Sequence, residues 1–92
     1  MAVLVIAEVE GQTQSKYDGM MAALGPALRG AEGFIAHGAG PAEGKWRVFE
    51  VWESAADATR FFATHVHPNL PDGVTPKRTL TELHALMLAA GE

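Results

Sequence analysis

One segment near the start of the chain constrains its folding more than any other. AVLVIAEVE, residues 2–10, begins apolar on both parities and then alternates, with Leu4 and Ile6 in phase with Glu8 and Glu10 and with Val3, Val5, Ala7 and Val9 on the opposite face. A strand that is apolar on both sides belongs in the middle of a sheet and needs a covering layer above and below. The chain has 92 residues from which to supply those layers. That length fits one domain, residues 1–92, and a domain so small buries only about 60% of the surface its unfolded chain exposes. Self-association is the simplest source of the missing cover.

Beyond Thr13 the period changes from two to about 3.6. Tyr17, Met20, Met21, Leu24 and Leu28 recur at spacings of three and four, a helical stripe that stops near Gly30, with Gly25-Pro26 expected to kink or restart the helix. Phe34 to His37 and Lys45 to Trp52 read as two strands, with the Gly/Pro/Ala/Glu cluster between them read as the turn of a hairpin. Ser54 with Asp57 three residues on is a helix-capping pair, and Ala55, Ala58, Phe61, Phe62 and His65 follow as a buried stripe that Pro68 closes. LPDGVTPK reads as a loop, and TLTELHALML is read as a last strand, although Thr79 and Glu82 also suit a helix start.

The order βαββαβ, with two interleaved right-handed crossovers, predicts an α+β, ferredoxin-like domain: a four-stranded antiparallel sheet with both helices on one face. The other face is then bare. The apolar first strand and the two tryptophans of the third strand predict that a second copy covers it, sheet to sheet, as a homodimer.

Charge and composition remove several classes of function. Eleven acidic against seven basic residues give a net charge of −4, and the bases are scattered rather than gathered into a stripe, which argues against a nucleic-acid partner. The absence of cysteine removes disulfides, a thiolate nucleophile and a zinc knuckle, as expected of a cytoplasmic protein. No stretch approaches the length of a membrane span, and MAVLVIA lacks the basic leader of a signal sequence. No GxSxG is present, and GAGPAEG lacks the ending of a phosphate loop.

GFIAH, then WRVFEVWES with Ser54 opening a helix, then ATRFFATHVHP at the end of that helix, resemble the antibiotic biosynthesis monooxygenase-like proteins of the dimeric α+β barrel superfamily. The resemblance spans Val3 to Leu88. It implies a paired α+β barrel and, in each subunit, a cavity between sheet and helices that takes a planar aromatic or polyketide-like molecule. It also implies that Trp52 matches the tryptophan of the strand-to-helix motif and His37 the histidine that ends the second strand. Chemistry within the family ranges over cofactor-independent oxygenases, haem-degrading enzymes, decarboxylases and cyclases. Its quinone-forming members carry an asparagine shortly before that tryptophan, whereas here the stretch is Lys45 to Val48 and the only asparagine is Asn69.

Alternation places Trp46, Val48, Glu50 and Trp52 on one strand face. An imidazole beside a carboxylate is the ordinary arrangement of a general base, so His37 with Glu50 is the expected catalytic pair, with His37 near the level of Trp46 and His65 as a further cavity residue. Trp46, Trp52 and Phe62 are the expected substrate-binding residues. The same residues also read more plainly, as a half-exposed strand histidine and an interfacial tryptophan pair. His65 and His67 form an H-x-H pair, but residues two apart on a helix diverge, so no metal and no other cofactor is expected. Two functions follow: a small cofactor-independent, monooxygenase-like enzyme that abstracts a proton, or a non-catalytic ligand-binding dimer with the same cavity.

Overall fold

Antiparallel pairing around the apolar first strand organises the chain. The computed structural model describes residues 1–90, in which β1 (Val3–Glu10), α1 (Gln14–Arg29), β2 (Phe34–Ala42), β3 (Lys45–Trp52), α2 (Ala55–Phe61) and β4 (Thr75–Glu82) follow one another. The sheet order is β2-β3-β1-β4, which puts β1 and β3 inside and β2 and β4 at the edges. This is the ferredoxin-like arrangement expected from the sequence.

Each helix begins where its cap lies. The Thr13 hydroxyl accepts from the Lys16 backbone N–H at 3.1 Å, and the Ser54 hydroxyl accepts from the Asp57 N–H at 3.1 Å, so each cap satisfies a donor that the first turn leaves unpaired. Pro26 lies within α1 without ending it: its carbonyl accepts from the Gly30 N–H at 3.2 Å, and the helix continues to Arg29. The second helical segment changes pitch after α2. A π-helical turn, Phe62–Val66, and a 3-10 turn, His67–Asn69, replace the continuous helix expected as far as Pro68.

Register fixes which faces meet. Val3 pairs with Trp52, Val5 with Glu50, Ala7 with Val48 and Val9 with Trp46, so the tryptophan face of β3 is also the valine face of β1, and both helices cover it. Trp52 is 0% exposed, packed with Val3, Val5, Leu28, Ala58 and Phe61. The expectation that Trp46 and Trp52 lie on the bare face is therefore corrected. The bare face instead carries Leu4, Ile6, Phe49 and Val51 at one end and Glu8, Glu10, Lys45 and Arg47 at the other.

Three element boundaries differ from the sequence reading. GAGPA is strand rather than turn, and the hairpin closes over Glu43 (φ 52°) and Gly44 (φ 79°) alone, the two left-handed residues that a tight two-residue turn requires. β4 starts at Thr75 and ends at Glu82, so His84, Leu86 and Leu88 lie beyond it. Both extensions run through a proline, Pro41 or Pro76, and both are on edge strands, where a missing N–H costs no ladder bond if it faces outward. Gly38 is needed for another reason. The Phe49 ring crosses the backbone there, and a β-carbon would collide with it.

The most informative irregularity is a β-bulge in β2. Phe34 pairs with Trp52 and Ala36 with Val51, leaving Ile35 without a partner. Strict alternation from Phe34 would send His37 to the bare face; the extra residue returns it to the helix face, opposite Glu50 rather than level with Trp46.

Because Trp52 fills the centre of the core, Trp52→Ala is expected to lower stability by about 3–5 kcal/mol. Urea unfolding followed by far-UV circular dichroism checks this, and a loss below about 1 kcal/mol would contradict the packing described.

Candidate active site

α1 stands over the helix-facing side of the sheet with a cleft beneath it. The cleft has a cavity volume of about 90 Å3 and is walled mainly by the apolar stripe of α1, the valine face of β1, and Phe61, Phe62 and Val66 of the second helical segment. Met20 and Met21 of the helical stripe belong to this wall. A lining of that character suits a small, mostly apolar molecule.

Inside it lies a chain of polar groups. The Tyr17 hydroxyl and His37 Nε2 are 2.6 Å apart, His37 Nδ1 and Glu50 Oε2 are 2.9 Å apart, and the Trp52 indole N–H donates to Glu50 Oε1 at 2.8 Å. The indole can only donate, so it engages Glu50 as an acceptor. With Glu50 ionised, the other carboxylate oxygen accepts from Nδ1–H, which leaves Nε2 as the acceptor of the Tyr17 proton. His37 and Glu50 retain side-chain exposures of only 14% and 16%, so their contact is sheltered from bulk water without being sealed from the cleft.

Tyr17 reaches this position because it stands one turn into α1, its backbone N–H bound to the Thr13 carbonyl at 2.9 Å. Its ring lies against Trp46 at 5.4 Å and stacks on His37 at 6.0 Å. Burial, followed by the negative charges of Glu50 and Asp18, pushes the Tyr17 hydroxyl above the ordinary tyrosine range. The group therefore stays protonated and donates to His37.

Arg78 completes the polar set from β4. It pairs with Ala7 on the helix-facing side, and its guanidinium lies 4.0 Å above the Phe62 ring. Burial lowers its pKa, while the Glu50 charge opposes that shift. Glu50 thus faces one cation across the cleft and one imidazole beside it.

The residues singled out from the sequence divide accordingly. His37, Glu50 and Phe62 line the cleft. Trp52 is enclosed in the core and meets the site through its N–H, and Trp46 lies behind Tyr17 with its own indole N–H buried and unpaired. His65 faces elsewhere: it packs on Phe61 at 4.7 Å and borders a groove with Asp57 and Arg60, because the π-helical turn rotates it off the cleft wall. Tyr17 and Arg78 were missing from the sequence reading. Tyr17 is the only tyrosine and stood within the helical stripe; Arg78 fell between the segment read as loop and the one read as the last strand.

Among the described residues no cluster of three or more His, Asp or Glu side chains offers a metal site. Among the described residues His37 is the only histidine on the cleft wall, and both of its nitrogens are engaged, so those residues present no free imidazole to a haem iron. Nor, among the described residues, is any helix long and apolar enough to cross a membrane.

No protein-family model matches the chain, and no curated protein does. Solved structures do. The structure of Rv0793 from Mycobacterium tuberculosis superposes with a TM-score of 0.68 at 18% identity, covering 98% of this chain and 100% of that one. SnoaB, a cofactor-independent oxygenase from Streptomyces nogalater, gives 0.67 at 12% identity over 94% and 96% of the two chains. The heme-degrader MhuD from Mycobacterium tuberculosis, with two hemes bound in its active site, gives 0.65 at 18% identity over 92% and 98%. The fold is thus that of the antibiotic biosynthesis monooxygenase-like proteins that the sequence motifs resemble. At these identities the likeness establishes the fold alone.

A single tyrosine makes its titration directly observable. The raised value means that the native state favours neutral Tyr17, so stability holds below the ordinary tyrosine range and falls as pH climbs from there through the native value. Alkaline absorbance titration of native and urea-unfolded protein is expected to show the native transition at higher pH; coincident curves would contradict the placement of Tyr17.

Proposed function

We propose that the protein is a small, cofactor-independent, monooxygenase-like enzyme that removes a proton from a planar aromatic or polyketide-type substrate. One observation carries this reading: the hydrogen-bonded series from Tyr17 through His37 to Glu50 opens into a cleft walled mainly by apolar side chains. A substrate acid that donates to the Tyr17 oxygen lets the tyrosine pass its own proton to His37 Nε2, while Glu50 stabilises the imidazolium. Burial disfavours a free tyrosinate at Tyr17, so this reading couples the two transfers. The resulting carbanion or phenolate can then be oxygenated by dioxygen, cyclise, isomerise or lose carbon dioxide; abstraction is common to these routes.

Deuterium exchange at the acidic C–H of planar ketones such as anthrone and α-tetralone, followed by NMR in D2O, tests the proposal, with an oxygen electrode as a second readout. His37→Ala is expected to lower the exchange rate by about 10² to 10⁴, as loss of a general base typically does, with the fold intact. Undiminished exchange in that variant would move the base elsewhere.

The second reading, a ligand-binding protein without turnover, draws on the same geometry: Tyr17 already occupies the nitrogen that a substrate would need. Binding of these ketones without exchange above the buffer rate would establish it.

Residues 1–92 are proposed to act as a single domain and as a homodimer. Ile6 and Phe49 are 38% and 46% exposed on the sheet face without helices, an apolar surface that a second copy would bury. Light scattering at micromolar concentration is expected to give twice the chain mass of 9.8 kDa, and Ile6→Glu combined with Phe49→Glu to give the monomer. A native protein that scatters as a monomer would refute the pairing.

A further inference from the structure

The cleft contains a cation that no protein group neutralises at close range. Among the described residues Arg47 pairs with Glu8 at 3.0 Å, Arg60 pairs with Asp57 at 3.0 Å, and Arg29 is exposed at the end of α1. Arg78 is half-buried and takes part in none of the ion pairs or side-chain hydrogen bonds among those residues. The nearest acid in the cleft is already committed: both oxygens of Glu50 accept bonds, one from His37 and one from Trp52. Stacking on Phe62 uses only the face of the guanidinium. Its N–H donors lie in its own plane and are left to a ligand, in the fork that suits an anionic oxygen. The same group borders an outer groove beside His67 and Leu70, so it stands at the rim of the cleft rather than at its floor.

Charge balance shows what kind of ligand fits. Glu50 carries one negative charge and Arg78 one positive, while His37 is neutral when it accepts from Tyr17. A neutral acid entering the cleft preserves this balance. Once its proton passes to His37, the imidazolium sits beside Glu50 and the ligand becomes an anion, so the total is unchanged and the one remaining cation is Arg78. Transfer between groups in a sheltered site is favourable only when each new charge has such a partner.

We propose that Arg78 is the anchor for an anionic oxygen, and that the ligands of the cleft are phenols and enolisable ketones whose phenolate or enolate oxygen comes to rest against its guanidinium. The assignment names the substrate class of the proton-abstracting site proposed above and rests on that reading. Only a proton moves in this step, from the ligand O–H or C–H to His37 Nε2 by way of Tyr17, and the electron pair stays on the ligand.

Equilibrium binding of 4-nitro-1-naphthol tests it, since the anion of this probe absorbs at longer wavelength than the neutral form. 1-Nitronaphthalene, which cannot ionise, reports the cleft alone. At a pH where the free naphthol is neutral, the native protein is expected to bind it with the anion band present. Arg78→Met is expected to reduce the bound anion about tenfold or more, the scale of a lost hydrogen bond to a charged group, and Arg78→Lys to restore part of it. 1-Nitronaphthalene should bind all three proteins within about twofold, a change too small to represent a lost charged contact. The dependence on Arg78 should also persist in a His37→Asn background when the naphthol is ionised in advance by raising the pH. That arm separates failure of the proton acceptor from failure of the anchor. An anion band undiminished in Arg78→Met, an equal loss of 1-nitronaphthalene affinity, or no binding of either probe to the native protein would overturn the proposal.

Discussion

The hydrogen bond from the enclosed indole of Trp52 to Glu50 joins the core of this protein to its candidate site. A carboxylate largely withdrawn from water is costly unless its oxygens are satisfied, and here one oxygen is held by the indole N–H and the other by His37. Trp52 cannot move without breaking the central packing against Val3, Leu28 and Phe61, so Glu50 is held by the best-packed part of the molecule. His37 is then fixed by Glu50, and Tyr17 meets His37 from the helix above. The order of support runs from packing to polar contact, which is how a strand-borne site acquires fixed geometry.

The two faces of the sheet carry different work because one residue is out of step. Without the unpaired Ile35, β2 would present His37 to the bare face, away from Glu50 and the cleft. The bulge lies on an edge strand, where an interrupted ladder disturbs one neighbour instead of two. On the other face, cross-strand pairs between Glu8, Glu10, Lys45 and Arg47 cover one end with charge, while Leu4, Ile6 and Phe49 leave the other end apolar. The hydrogen bond from Arg47 is the main cause of the lowered Glu8 pKa, but these exposed pairs are worth little in stability. They mark the limit of the apolar patch.

Much of the fold was legible because periodicity and caps are local signals. The alternation of Val3, Val5, Ala7 and Val9, the helical stripe from Tyr17 to Leu28, and the cap Ser54 each depend on neighbours a few residues away. The errors fell where a strand's tolerance depends on its place in the sheet. Pro41 and Pro76 read as turn residues, but an edge strand admits them, and whether a strand is an edge is a property of the assembled sheet.

The same distinction runs through the site. That Glu50 shares a face with Trp46 and Trp52 followed from the sequence alone, because alternation along one strand needs no partner. Which layer covers that face, and so whether the tryptophans face a second subunit or the protein's own helices, depended on the pairing of β3 with β1. The meeting of His37 with Glu50 required a bulge that no residue preference announces, and Tyr17 and Arg78 joined them from segments 20 positions before His37 and 28 after Glu50. Composition and local periodicity determined the elements and their order; only the tertiary structure brought the polar groups together, because hydrogen bonds between distant segments depend on register and helix placement, which a linear pattern does not encode.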